Sequence, residues 1–281
     1  MLVTDPDGTI TWPSEKGLYF LDTRIISNWA IYANGEPWQL LNGGPIDYYA
    51  ARIFLTNRLI LTEDGEIPPR TSALPPVDHS GGLHEDLDIT NNSMTPVRFQ
   101  LEVAFRCDFA DIFEVKSGHI VRRGKITTEW SEQEQRVRTV YSNRDFRRAV
   151  TTSAVRAPRQ AVSANSRLSF EVVLQPNEIW HACVLYTLED GEQSFHAPDD
   201  CVENSDKSRQ HATLSEWLKT VVKIQTSNEE FYRLFHQALE DMAALRLSKA
   251  RIIWFSCLRL DCHGSSLHLV AIVCSFRCRM S

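Results

Sequence analysis

From residue 1 to about 190 the dominant period of this chain is two, and that period restricts it to a sheet architecture. Phe99, Leu101, Val103 and Phe105 alternate with Arg98, Gln100, Glu102, Ala104 and Arg106, so an extended strand here has one apolar and one polar face. Leu168, Phe170, Val172 and Leu174 repeat the pattern, as do Trp180, Ala182, Val184 and Tyr186, with a shorter version at Val137, Thr139 and Tyr141. Asp7-Gly8, Asn34-Gly35 and Asp64-Gly65 supply residues that tolerate positive φ and read as hairpin turns. Pro75-Pro76 and His79 to Gly82 read as a loop. Many short strands at regular spacing predict an antiparallel β-sandwich over residues 1–205.

The period changes after residue 205. Leu214, Trp217, Leu218, Val221 and Val222 suit one helix. Phe231, Leu234, Phe235, Ala238, Leu239, Met242 and Leu245 form an apolar stripe at helical spacing, preceded by Ser227 and Glu230 in capping-box order. Two helices cannot complete a helical domain, so residues 206–248 read as the first piece of one. The expected fold class is mainly β, a sandwich followed by a short α-helical segment, with an aberrant tail at 249–281.

At 281 residues, 43% apolar and 23% charged, the chain has the composition of a folded globular protein. A net charge of −6 argues against a nucleic-acid partner, and the basic stretch Arg136 to Arg159, with Arg144, Arg147 and Arg148, reads as a solvated strand edge. No secretory leader is visible, and the longest apolar run, Leu267 to Phe276, is too short for a bilayer. No membrane partner is expected. The sequon Asn91-Asn92-Ser93 then means only a turn, and a cytoplasmic, reducing location fits. Cysteine use is uneven: Cys107, Cys183 and Cys201 precede residue 250, while Cys257, Cys262, Cys274 and Cys278 crowd the end.

The stretch Asp108 to Val115 holds the chemistry that most needs a decision. Asp108, Asp111 and Glu114 recur at i, i+3, i+6, and on a helix they would share a face. Paired carboxylates are the tools of glycosidases; a polar rim that ends a strand and caps a turn needs the same residue types. Asp22 and Arg24, after the aromatic strand Gly17 to Leu21, could grip a sugar hydroxyl or form an internal salt bridge. Trp12 and Trp38, beside turns and prolines, are candidate sugar-stacking platforms, whereas Trp29 and Trp180 sit in alternating runs and read as core. His79, His84, His119, His181, His196, His211 and His236 form no HExxH or HxH arrangement and read as ordinary surface or packed residues.

Gly17 to Arg24, Ser27-Asn28-Trp29, Asn34-Gly35, Leu83-His84-Glu85 leading to Asn91-Asn92-Ser93, and Asp108 to Val115 occur together in this order. Over roughly residues 10 to 256 the chain resembles the N-terminal part of bacterial and fungal glycogen debranching enzymes of the amylo-α-1,6-glucosidase type. The resemblance implies a β-sandwich, then a helical linker and an (α/α)6 toroid that carries catalysis with two carboxylates and no cofactor. Phe231 to Leu247 resembles the toroid's first helix, and Trp254-Phe255-Ser256 resembles the start of a Trp-Phe-Ser-x-x-Phe-Gly-Arg-Asp stretch. On this reading Asp22, Arg24, Asp108, Asp111, Glu114, Trp12 and Trp38 are family-motif, interface or glycan-contact residues, and none is catalytic.

At Cys257 the resemblance stops. Codons for Cys257-Leu258-Arg259 can read Ala-Phe-Gly one base later, and those for Asp261-Cys262-His263 can read Ile-Val-Met, which is the expectation if the tail is translated out of frame or through an intron. Cys257, Cys262, His263, His268, Cys274 and Cys278 exceed the needs of a tetrahedral zinc site, but no CxxC pair is present, so no metal or cofactor is expected. The chain is therefore expected to be a non-catalytic domain whose native partner is the missing toroid, with α-glucan as a possible ligand. A stand-alone glucan-binding or interaction module is the alternative.

Overall fold

The computed structural model describes residues 1–47, 50–57, 60–62, 65–67, 71–74, 82–164, 166–197, 201, 209–244, 254–261 and 268–275. Two compact units divide the chain, Met1–His211 and Ala212–Ser281. The first holds β1 (Leu2–Val3), β2 (Gly17–Phe20), β3 (Thr23–Ala33), β4 (Glu36–Pro37), β5 (Gln39–Asp47), β6 (Ala50–Thr56), β7 (Ile60–Thr62), β8 (Gly65–Ile67) and β9 (Thr71–Leu74). These are followed by β10 (Leu83–Thr90), β11 (Val97–Asp111), α1 (Ile112–Ser117), β12 (Lys125–Ser131), β13 (Arg136–Asn143) and β14 (Phe146–Val155). The unit ends with β15 (Val162–Ala164), β16 (Arg167–Leu174), β17 (Ile179–Asp190), β18 (Gln193–Phe195) and the start of α2 (Arg209–Thr220).

Two large antiparallel sheets result, with β7 and β8 forming a separate small pair. One runs β1-β2-β3-β11-β16-β15 with β4 added to β3; the other runs β12-β13-β14-β17-β10-β9-β6-β5 with β18 added to β17. The alternation in the sequence fixes which faces meet. Phe99, Leu101, Val103 and Phe105 of β11 and Leu168, Phe170, Val172 and Leu174 of β16 are buried, and they share one core with Leu87 and Ile89 of β10 and Trp180, Ala182, Val184 and Tyr186 of β17. Rings cross between the sheets: Phe170 meets Trp180 edge-on at 5.5 Å, and Phe105 meets Tyr186 at 6.4 Å. This is the expected sandwich. Fully burying one such Leu or Phe is worth about 1.5–3 kcal/mol, against about 0–1 kcal/mol for an exposed pair such as Arg136–Glu134. Inter-sheet packing therefore dominates the stability.

Asn34 (φ 51°) and Gly35 (φ 81°) turn β3 into β4, as their sequence signalled. Gly8 (φ 82°) ends the Asp5–Gly8 turn, and Asp64 lies outside the described residues, although β7 and β8 pair on either side of it. Within the Asn91 turn Asn91 itself is buried: its Nδ2 donates to the carbonyls of Thr95, Leu174 and Gln175, while its Oδ1 accepts from the Ser93 amide and hydroxyl.

In the second unit α2 ends at Thr220, so Val221 and Val222 lie beyond it, and α3 covers Glu229–Ala244. The capping box read from Ser227 and Glu230 is corrected. Asn228 is the cap, its Oδ1 accepting from the Phe231 amide at 3.0 Å, because α3 begins one residue later than that motif requires. Backbone pairing joins β19 (Trp254–Asp261) to β20 (His268–Ser275) as an antiparallel hairpin. Cys257 and Cys274 fall on those strands, while Cys262, His263 and Cys278 lie outside the described residues. Among the described residues no helix is long and apolar enough to cross a membrane.

Candidate functional site

The motifs Gly17 to Arg24 and Asp108 to Val115 meet where β3 pairs with β11. Cys107 lies opposite Ile26 and Ala110 opposite Arg24, so three steps on β11 face two on β3. The extra residue makes a bulge, with Phe109 at φ 52°, and a bulge re-aims the side chains around it. Phe109 enters the core, stacked on Tyr141 at 5.6 Å, while Asp108 turns to Arg24. Arg24 is completely buried. Its Nε donates to Asp108 Oδ2 at 3.1 Å and Oδ1 at 3.3 Å, and its Nη2 to Oδ2 at 2.5 Å. Its Nη1 donates to the carbonyls of Ser14 (2.6 Å) and Lys16 (3.3 Å). A guanidinium can stay in such a place only with its charge and donors matched. Gly17 leaves the room: a Cβ there would come within 2.5 Å of Arg24 Cδ and 2.6 Å of the Ile26 carbonyl oxygen. Trp12 is 56% exposed and its ring centre lies 5.3 Å from Arg24 Cζ, a cation–π contact that still leaves much of the indole to solvent.

The pairing of Asp22 with Arg24 does not form, because the bulge delivers a better-placed carboxylate from 84 residues away. Asp22 instead accepts from Arg148 Nη1 at 2.8 Å. Arg148 is not part of a solvated edge; it is 5% exposed, bonds Thr23 Oγ1, donates to Asp190 Oδ1 at 3.2 Å, and lies over the rings of Phe146 and Phe20. It ties β14 of one sheet to the β2–β3 turn of the other.

The three acids do not share a helix face. β11 runs on past Cys107 to Asp111, whose Oδ1 caps α1 by accepting from the Phe113 amide at 2.8 Å. The Ile112 amide donates to the Asp22 carbonyl at 2.9 Å. Glu114 alone is helical and pairs with Arg123. Of the two reserved tryptophans, Trp38 is a core residue, 7% exposed and edge-on to Phe99 at 6.3 Å, so it presents no face to a sugar. Trp12 does.

Between the sheets, Trp29 Nε1 donates to Tyr186 Oη at 2.8 Å, and Tyr186 Oη donates to Glu85 Oε2 at 3.0 Å. Burial pushes the Glu85 carboxyl up to about 8 and the Tyr186 phenol upward as well. Glu85 also lines an apolar cavity with Leu18, Ile26, Trp29 and Ile53.

A second polar cluster occupies the opposite face of the same strands. Asp86 lies opposite Cys183 and Asp88 opposite His181 in the β10–β17 register. His84 Nε2 is 2.9 Å from Asp86 Oδ1, Cys183 Sγ is 3.3 Å from Asp86 Oδ1, and Cys201 Sγ is 3.6 Å from Cys183 Sγ. His84, Asp86 and Cys183 are buried, and burial pushes both thiols up. His84, read from the sequence as a surface or packed residue, is packed, and it shares a cluster with Asp86, Cys183 and Cys201 that His181 adjoins. The available signal was two-residue spacing, His84-x-Asp86-x-Asp88 and His181-x-Cys183, on the outward phase of two strands whose inward phase is apolar; what it lacked was the pairing of those strands.

Among curated proteins none matches the chain. Residues 1–185 match the family described as the N-terminal domain of (some) glycogen debranching enzymes. That span covers most of the sandwich, including the Arg24–Asp108 lock and the side chains of Arg148 and Glu85, while their partners Asp190 and Tyr186 lie just past it, and the chain belongs to this family.

Proposed function

We propose that this chain is the non-catalytic N-terminal domain of an amylo-α-1,6-glucosidase-type debranching enzyme acting on glycogen or a related α-glucan. The observation that carries the reading is the engagement of the candidate acids. Asp108 is held by Arg24, Asp111 by the first turn of α1, and Glu114 by Arg123. Hydrolysis needs two carboxyls facing one bond across a space of about 5–9.5 Å, and acids bound into a strand exit support the role of a shaped interface instead. On this reading catalysis belongs to the rest of the toroid, which the resemblance places after Ser256, and the tail from Cys257 is read out of frame. The unbonded thiols of Cys107, Cys183 and Cys201 favour a reducing cytoplasm. The full chain should release no glucose from a branched limit dextrin, and Asp108→Asn should lower stability without creating or removing an activity. Glucose release above an enzyme-free control would refute the reading. Nucleotide sequence with an intact frame through the tail, and no toroid downstream, would refute the frameshift.

A second reading, a glucan-binding module, rests on Trp12, whose exposed indole is braced by Arg24. Co-sedimentation with glycogen, reduced at least tenfold by Trp12→Ala, would support it. Equal sedimentation of both proteins would remove it.

A further inference from the structure

We propose that His84, Asp86, Cys183 and Cys201 form a structural zinc site on the outer face of the nine-stranded sheet. Their ligand atoms, one from each residue, lie within 4.8 Å of one another. Two thiolates bound at about 2.3 Å in tetrahedral geometry stand about 3.8 Å apart; Cys183 Sγ and Cys201 Sγ are 3.6 Å apart. The same geometry asks for roughly 3.4–3.6 Å between an oxygen ligand and its sulfur or nitrogen neighbour. Asp86 Oδ1 lies 3.3 Å from Cys183 Sγ and 2.9 Å from His84 Nε2, so small shifts would admit the ion. Two thiolates with one imidazole and one carboxylate form a set that suits zinc and is poor for magnesium or calcium.

Three further features fit. Three of the four ligands come from paired strands: His84 and Asp86 are two residues apart on β10, and Cys183 sits directly across from Asp86 on β17. Two thiolates and a carboxylate sum to −3, of which zinc would offset two, and the Arg156 guanidinium donates to Cys201 Sγ beside them. His181 turns Nε2 toward both sulfurs, at 3.2 and 3.6 Å, while its Nδ1 is held by Asp88 Oδ1 at 2.7 Å. Asp88 fixes the ring of His181 against the two sulfurs, although His181 is not one of the four ligands. His181 thus stands beside the site as its supporting residue. The effect of the ion is mechanical: it fastens the chain at Cys201, beyond β18, back onto β10 and β17.

The test uses the full chain, purified without chelator, then apo-protein reloaded with zinc or cobalt. One zinc per chain is expected, with thiolate-to-cobalt charge-transfer bands and tetrahedral ligand-field bands in the cobalt form. Cys183→Ser and His84→Gln should each lower occupancy at least tenfold. The quadruple variant Cys257→Ser, Cys262→Ser, Cys274→Ser and Cys278→Ser should keep full occupancy, since the tail is not the site. Circular dichroism checks that each variant retains its sheet, and the cobalt spectrum of the unmutated chain reports thiolate ligation independently of any variant. Absence of zinc from a folded chain after reloading, loss of zinc only in the tail variant, or a Cys183–Cys201 disulfide in the freshly purified protein would each overturn the proposal.

Discussion

Gly17 is the residue whose identity is most tightly set by a neighbour. Any Cβ there collides with the stem of Arg24 and the Ile26 carbonyl, and neither can retreat, because Arg24 is held by Asp108 and two carbonyls. Gly17→Ala should cost about 1–3 kcal/mol by overpacking, read as a lower urea midpoint; an unchanged midpoint would mean that the lock is looser than described. Glu85 gives a pH-dependent prediction. Its carboxyl is raised to about 8 by burial, so the folded state holds a proton that the unfolded chain releases near 4.5. The favourable contribution is full below the unfolded value and is lost as pH climbs to the folded one, with a slope of at most ~1.4 kcal/mol per pH unit. Stability of the unmutated chain in chelator should therefore fall between about pH 5 and 8 relative to Glu85→Gln. Parallel pH profiles for the two proteins would contradict a protonated Glu85.

For single elements, legibility in the sequence followed the distance over which each signal acts. The inward phases of β11, β16 and β17 were plain, because alternation is written in consecutive residues. The start of α3 was misread by one position: Ser227 and Glu230 satisfy the letter of a capping box, yet the backbone amide of Phe231 takes Asn228. Asn228→Ala should increase local opening of α3 about fivefold, for a loss of about 1 kcal/mol, with Ser227→Ala leaving amide hydrogen exchange unchanged. The reverse ranking would restore the original cap. The bulge in β11 was invisible for a different reason. It exists only relative to β3, and nothing in Asp108-Phe109 announces the partner register. The same limit concealed His84, Asp86, Cys183 and Cys201, which are chemically suggestive only once β10 and β17 are known to pair.

At the scale of the molecule the helical unit differs from the sandwich in how its apolar residues are spent. In α3, Phe231, Leu234 and Met242 are 54%, 64% and 57% exposed among the described residues, an apolar stripe of the sort that drives association. The purified chain should bind an apolar dye and self-associate, and Phe231→Glu with Leu234→Glu should shift it toward monomer in sedimentation velocity. A dye-silent monomer would show that the stripe is covered. The sandwich, by contrast, closes on itself, but only by joining distant segments. β10 ends at Thr90 and its partner β17 begins at Ile179. At a synthesis rate of about 5–20 residues per second, β10 is made roughly 4–18 s before that partner exists. During that interval the nascent chain carries open strand edges and half a core. The route to this fold thus runs through seconds of enforced waiting, and the place to look for its hazards is on the ribosome.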